Sequence, residues 1–520
     1  MHDRRERHPQ SLWDPGADGR LTFAARGDGL DNPAGVACRG PSHTVDVVRH
    51  GIRRERGQVS VMGDAEGAAR RWLRAFRLHR DASRAVVHLA YPVTLGLLST
   101  TLLSAVDTAM LGRLGAAPLA ASGVAGVLFF AIAFPLSAIS VGVQALVARR
   151  LGEGRPTRCG EVLTAGLLLA GGLGIPVVCA APWLAEVAAP ILSSDATVAL
   201  LGKQYLALRL LGTAFMLASM SLRGFFAGIG HTRQQMWAAV LTTLVNVLLD
   251  YVLIFGRWGF APMGVEGAAI ASTIALGAGA AYLAATSLQP KYRVTYALYR
   301  GVRAGAQRWG AVLRLSLPIV AQRLVSHGSW FAFFAVVARI GTVELAATNV
   351  MRSIYGLTVM PAVGFATAAA TLVSRELGAV REARAERYAW EATRLSAYLL
   401  AAIGLLFVLL PRTILQVYTS EPAVLAAGAL PLRLLGSVQA FGGAAIVLSH
   451  VLQGAGCTRY VLGVELAACF GLYLPLVFFL GLKTRLGLVG AWTGEYTYWV
   501  LVSLLMAVMV RRGTWKRVRI

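Results

Sequence analysis

Two aspartates in this chain stand where charge is costly. Asp107 lies in the apolar run SAVDTAMLG and Asp250 in NVLLDYVLIFG. An ionisable side chain within such a run is a functional hypothesis by default, because inserting it into hydrocarbon costs roughly 2.5–3.5 kcal/mol. Asn246 precedes Asp250 by one helical turn and shares its face. Buried carboxylates take up protons near neutral pH, and with an amide oxygen beside them they can instead hold Na⁺. Asp107, Asn246 and Asp250 are therefore expected to form a site for H⁺ or Na⁺. Two like charges brought together repel, so one aspartate is expected to keep its proton and the pair to titrate as a unit. Glu495, Arg352 and Gln322 also fall within apolar runs and are secondary candidates for substrate contact or for a structural pair. Glu465, nearer the end of its run, is expected to reach the interface or Arg459.

Other chemistries lack their residues. Gly202-Lys203 is not a phosphate loop, because Thr197 stands where the first glycine belongs and Gln204 where Ser or Thr should follow. No HExxH motif and no nucleophile–base pair is evident, so no enzyme is expected. The cysteines show no metal-ligand spacing, and His88, His231, His327 and His450 are expected to be packing or interfacial residues. No cofactor is expected beyond the coupling ion. Trp183, Trp258, Tyr498 and Trp499 suit interfacial belts or packing.

The elements that must position these residues are transmembrane helices. The 520 residues are 56% hydrophobic and 15% charged, with 56 Gly and a net charge of +24, which describes a polytopic membrane protein and not soluble domains. All but four of the 50 basic residues are arginines, gathered in short tracts between apolar runs, so nucleic acid is not an expected partner. Twelve runs are long enough to cross a bilayer: 86–111, 118–147, 162–189, 199–229, 235–256, 264–288, 311–338, 344–373, 392–411, 424–452, 460–481 and 487–510. Arginine tracts precede span one and follow spans two, six, eight and twelve. The excess of basic residues in cytoplasmic loops then places both termini in the cytoplasm, with Lys483 and Arg485 as the exception. Residues 1–84 read as a disordered, basic N-terminal segment, with Met62 an alternative start. Residues 289–309 read as a cytoplasmic linker and 512–520 as a basic tail.

The chain also repeats itself. Pro92 and Pro318 are 226 positions apart, as are Arg113 and Arg339, Pro135 and Pro361, Arg149 and Arg375, and Gly152 and Gly378; GIGHTR at 228–233 and GAGCTR at 454–459 keep that offset. The fold expected is all-α, with twelve transmembrane helices in two homologous six-helix bundles, 85–288 and 310–511, related by a pseudo-twofold along the membrane normal. Two such halves around a substrate path suit alternating access.

VDTAMLGRLGAAPLAA at 106–121, QALVARRLGEG at 144–154, RGFFAGIGHTR at 223–233, the NVLLDYVLIFG run, GVEGAAIAS at 264–272 and the second-half GAGCTR together resemble the MATE (multidrug and toxic-compound extrusion) transporters, from about residue 85 to about 510. The resemblance implies a two-lobed antiporter that exports organic molecules, here expected to be amphipathic and cationic, in exchange for H⁺ or Na⁺. It implies coupling roles for Asp107, Asn246 and Asp250, and through GAAIAS it adds Ser272, with Thr273 next door. Some branches of the family place acids in helices seven and ten; span seven here offers Gln322 and His327 and span ten Gln439, so the chain resembles the branch with its coupling acids in the N-lobe. By the repeat offset the ion-site residues occur once, and Glu495 has no second carboxylate aligned beside it. The expected setting is a monomer in the lipid bilayer of the bacterial inner membrane. The alternative is a lipid-linked saccharide flippase of the related two-bundle superfamily.

Overall fold

The computed structural model describes residues 78–520 apart from 194, 301 and 519. The expectations for residues 1–77, Met62 included, lie outside the described residues, whereas the helix that starts at Arg80 corrects the expectation of disorder as far as residue 84. Among the described residues, every regular element is a helix. That is the expected solution for apolar segments in lipid, where each backbone group must find its partner within the segment. The first half comprises α1 (Arg80–Gly112), α2 (Ala116–Leu136), α3 (Ile139–Gly152), α4 (Arg158–Cys179), α5 (Ala181–Leu192), α6 (Ala196–Leu211), α7 (Thr213–Gly228), α8 (Thr232–Phe255) and α9 (Gly264–Leu288). A short connection with α10 (Pro290–Arg293) leads to the second half. This contains α11 (Val302–Ile340), α12 (Thr342–Gly378), α13 (Glu382–Leu409), α14 (Pro411–Gln416), α15 (Pro422–Gly454), α16 (Thr458–Ala468), α17 (Leu474–Leu482) and α18 (Gly487–Arg512).

The spans are less regular than the sequence suggests. Among the described residues ten helices are long and apolar enough to cross a membrane, and an eleventh span is the pair α6–α7, bent by 42° at Gly212. The twelfth is α11, whose 39 residues suffice in length although Arg314, Arg323 and His327 interrupt its apolar surface. The second span breaks between α2 and α3, just after Pro135, as expected where proline removes a backbone donor. Its counterpart Pro361 lies within the continuous α12. The eleventh span passes through a π-helical turn, Cys469–Tyr473, between α16 and α17.

The halves interlock at the arginine-rich end. Gly152 and Gly378, pseudo-equivalent by the repeat, each lie against the other half's backbone: a Cβ on Gly152 would sit 2.9 Å from the Arg375 carbonyl carbon, and one on Gly378 would sit 3.1 Å from Glu153 N. Only glycine permits that approach. Val86, Leu89 and Ala90 of α1 pack into the core of the second half, while Val312 and Leu315 of α11 pack into that of the first. Each half thus receives the start of the other's first helix. Gln144 on α3 donates to the Thr367 carbonyl at 2.8 Å and to Thr371 Oγ1 at 2.8 Å across the same seam.

Toward the other end the polar faces separate. Ser104 and Thr108 on α1 and Asn349, Arg352 and Ser353 on α12 are exposed. Arg352 facing hydrocarbon would be costly, which points to an aqueous cleft between the halves. Thr101 Oγ1 meets Met360 Sδ at 3.6 Å where α1 and α12 close its floor.

Candidate cation-coupling site

The structure brings the four expected residues of the first half together. Asn246 and Asp250 on α8 are fully buried, and Ser272 on α9 is nearly so. With the Asn246 amide turned to suit its neighbours, its nitrogen donates to Asp107 Oδ1 at 3.0 Å, and its oxygen accepts from Ser272 Oγ at 3.3 Å and Ser272 N at 3.1 Å. Thr273 points elsewhere, donating to the Leu208 carbonyl at 3.0 Å. A Ser99–Thr243 hydroxyl pair at 3.0 Å fixes α1 against α8 two turns from the aspartates.

Asp250 is the unusual member. Both its oxygens are buried without any donor, an arrangement that costs about 1–3 kcal/mol or more for a charged group. Its neighbour is the Asp107 carboxyl, close enough that a proton between the two would make a hydrogen bond. Arg209 on α6 lies within electrostatic reach of both acids. Its guanidinium sits 4.7 Å from the centroid of Phe129 and 6.0 Å from that of Tyr205, and its Nε is buried without an acceptor. Two carboxyls, one amide, one hydroxyl and one guanidinium can hold a proton, exchange it, and change net charge on doing so.

The second half differs from expectation. Glu465 does not reach the interface or Arg459: it is 2% exposed. It accepts from Ser326 Oγ, from Tyr498 OH at 2.9 Å and from Gln322 Nε2 at 3.3 Å. Gln322 in turn accepts from Gln453 at 2.8 Å. Spans seven, eleven and twelve converge on this carboxylate, which no linear spacing reveals. Glu495 accepts from Trp499 Nε1 at 2.9 Å and lies within electrostatic reach of Glu465. It therefore has a carboxylate neighbour after all, supplied by a different helix and so invisible to the repeat alignment. Tyr498 and Trp499 serve these acids and do not form an interfacial belt. Arg352 and Glu495 do not pair; the Arg352 guanidinium lies 5.8 Å from the Phe334 centroid.

Span seven holds a residue the sequence reading passed over. Arg323 donates to the Phe134 carbonyl at 3.2 Å and to Ser137 Oγ at 2.5 Å, tying span seven to the break between α2 and α3, where the same carbonyl also accepts the Ser137 N–H. Its signal was an arginine in mid-span, the same that marks Arg209, and in both cases it was lost among so many arginines. His327 packs on Phe134, with centroids 4.9 Å apart.

Two homologous helical bundles with ionisable groups buried among their membrane spans have the architecture of a secondary transporter. The family model MatE matches residues 92–252 and 318–479, two stretches whose starts are separated by the repeat offset. The chain belongs to the MatE family. It is similar to a probable multidrug resistance protein NorM of Thermotoga maritima, 25% identical over 441 residues that cover 84% of this chain and 94% of that one. It is also similar to a multidrug resistance protein NorM of Burkholderia vietnamiensis, 28% identical over 428 residues, 81% and 91% of the two chains. Among solved structures, a MOP superfamily transporter from Pyrococcus furiosus superposes with a TM-score of 0.77 at 21% identity, covering 84% of this chain and 97% of that one. A Vibrio cholerae MATE transporter gives 0.76 at 19%, covering 83% and 97%. These likenesses establish the twelve-helix, two-bundle fold.

Proposed function

We propose that this chain is a proton-coupled antiporter that exports amphipathic organic compounds, cationic ones among them, and that it is a transporter and not an enzyme. The observation that carries the reading is the Asp250 carboxyl, buried without a donor beside Asp107. A single shared proton satisfies both groups, and its loss leaves two negative charges facing the one guanidinium of Arg209, so protonation and conformation are linked.

The arginine-rich end, to which both the start of α1 and the end of α18 belong, is the cytoplasmic end by the distribution of basic residues. The cleft then opens outward. The protein acts as a monomer in a bacterial inner membrane, with small organic molecules and lipid as its partners and no nucleic acid. Protons entering the cleft load the Asp107–Asp250 pair, the halves rock, and release to the cytoplasm resets the carrier.

The test is transport of a fluorescent organic cation in everted vesicles, first under an imposed ΔpH and then under a sodium gradient. The ΔpH should drive accumulation and the sodium gradient should not; accumulation driven by sodium alone would overturn the proton reading.

A further inference from the structure

Among the described residues, Glu391 on α13 is the most completely buried acid outside the two polar clusters, with no exposed side-chain surface. Apart from Arg394 on its own helix, its partners belong to the other half. Glu391 Oε1 accepts the His79 backbone N–H at 2.7 Å and the Ser83 hydroxyl at 2.5 Å, while the His79 ring nitrogen lies 3.6 Å from Oε2. Arg394, one turn on, donates to Oε2 at 3.3 Å. His79 is the N-cap of α1 and makes no side-chain cap of its own. The carboxylate therefore supplies from the second half what the first half's leading helix lacks: an acceptor for an orphan N–H and a negative charge at the positive end of the helix dipole.

The repeat contains a matching contact. Glu161 on α4 accepts from Arg308 Nε on α11 at 3.2 Å. As α13 is the third span of the second half, so α4 is the third span of the first; α1 and α11 are the two leading helices. In each half an acid on the third span grips the first span of the other, and both grips lie at the arginine-rich end where Gly152 and Gly378 cross. They differ in burial: the Glu391 side chain is fully enclosed, whereas Glu161 is 27% exposed and Arg308 39%.

We propose that Glu391 and Glu161 are paired latches of the cytoplasmic gate, with Glu391 the dominant one, and that both grips release when the carrier opens inward. The proposal rests on the alternating-access reading, but not on the identity of the coupling ion. The geometry gives the reason. Parting the halves at Gly152 and Gly378 must draw the start of α1 away from α13 and the start of α11 away from α4. The desolvated Glu391 bonds are the more costly to break, whereas an exposed pair such as Glu161–Arg308 contributes little.

The experiment uses single reporter cysteines in an otherwise cysteine-free full-length chain. Ala148→Cys reports the seam, since Ala148 is fully buried one turn beyond Gln144; Ser353→Cys reports the outer cleft. Each is labelled with an impermeant maleimide from its own side of the membrane. Glu391→Ala should raise labelling at position 148 about tenfold or more, the factor carried by one charge-assisted hydrogen bond, and should lower labelling at position 353. Glu391→Gln, which keeps an acceptor for Ser83, should fall between, and it carries the test if the alanine variant does not accumulate. Glu161→Ala should shift both reporters in the same directions by less. Unchanged labelling at position 148, or a rise at both positions, would overturn the proposal, because mere loosening of α1 exposes both sites while release of a latch exchanges one for the other. Labelling needs no transported substrate, so this result stands apart from any failure of the coupling site.

Discussion

Asp250→Asn should make the protein more stable and less functional at once. The substitution preserves shape and removes the carboxylate whose oxygens find no donor in the folded state once the shared proton has left. Relieving an unsatisfied buried polar group gains about 1–3 kcal/mol, and the new amide can donate to the neighbouring Asp107 carboxyl. Function moves the other way. One proton moved down a ΔpH of about 2 provides about 2.7 kcal/mol, roughly a hundredfold concentration ratio. Without the second carboxyl there is no shared proton to load and release, so that ratio should collapse toward one while the cleft and its lining are untouched. The assays are thermal unfolding in detergent and concentrative uptake of a fluorescent cation into everted vesicles across a series of imposed ΔpH values. A variant that unfolds at a lower temperature than the wild type would refute the orphan-carboxylate argument. A variant that keeps the wild-type dependence on ΔpH would refute the coupling role.

In the second half the sign of the stability effect reverses. Glu465→Gln should destabilise by about 1–3 kcal/mol, because Ser326, Tyr498 and Gln322 already satisfy the carboxylate and lose a charged acceptor; thermal unfolding measures this, and ΔpH-driven transport should persist in whatever protein remains folded. Gly378→Ala should shift the resting state away from cytoplasmic closure, since its Cβ would meet the Arg149 carbonyl carbon and Glu153 N at 3.1 Å, an overpacking that costs about 1–3 kcal/mol; faster maleimide labelling of Ala148→Cys is the readout. Cys457, in the connection before α16, has its thiol pushed up to about 11 by burial. The reactive thiolate is therefore scarce below that pH, and alkylation at pH 7 should be slow in the folded protein and fast after denaturation.

Much of the coupling site was legible because membranes make charge rare. Asp107 and Asp250 stood out against their apolar surroundings, Asn246 followed from helical spacing, and the common offset of Pro92/Pro318 and Gly152/Gly378 exposed the two halves. Ser272 needed a likeness to other chains. Groups whose environment is assembled from distant segments were not legible. Glu465 sits near a span end in the sequence, and only the convergence of α11, α16 and α18 buries it. Arg209 and Arg323 stood in mid-span but were masked by the arginine-rich composition, although each meets an aromatic face. The helix breaks were only partly marked: Pro135 has a break beside it while Pro361 does not, so the same residue in the two repeats meets different packing. Glu391 looks in sequence like an ordinary charge at a membrane edge, and its role as a cap for α1 depends on a contact 312 residues away.

The central claim is that export and proton entry are one event at the Asp107–Asp250 pair. Purified protein in liposomes loaded with a pH-sensitive dye tests it most directly, with an outwardly directed gradient of an organic cation as the only driving force and the membrane potential clamped. Cation efflux through the wild-type protein should acidify the lumen as protons enter in exchange, and Asp107→Asn should abolish the acidification. Cation efflux through the wild type without any change in luminal pH would contradict the account.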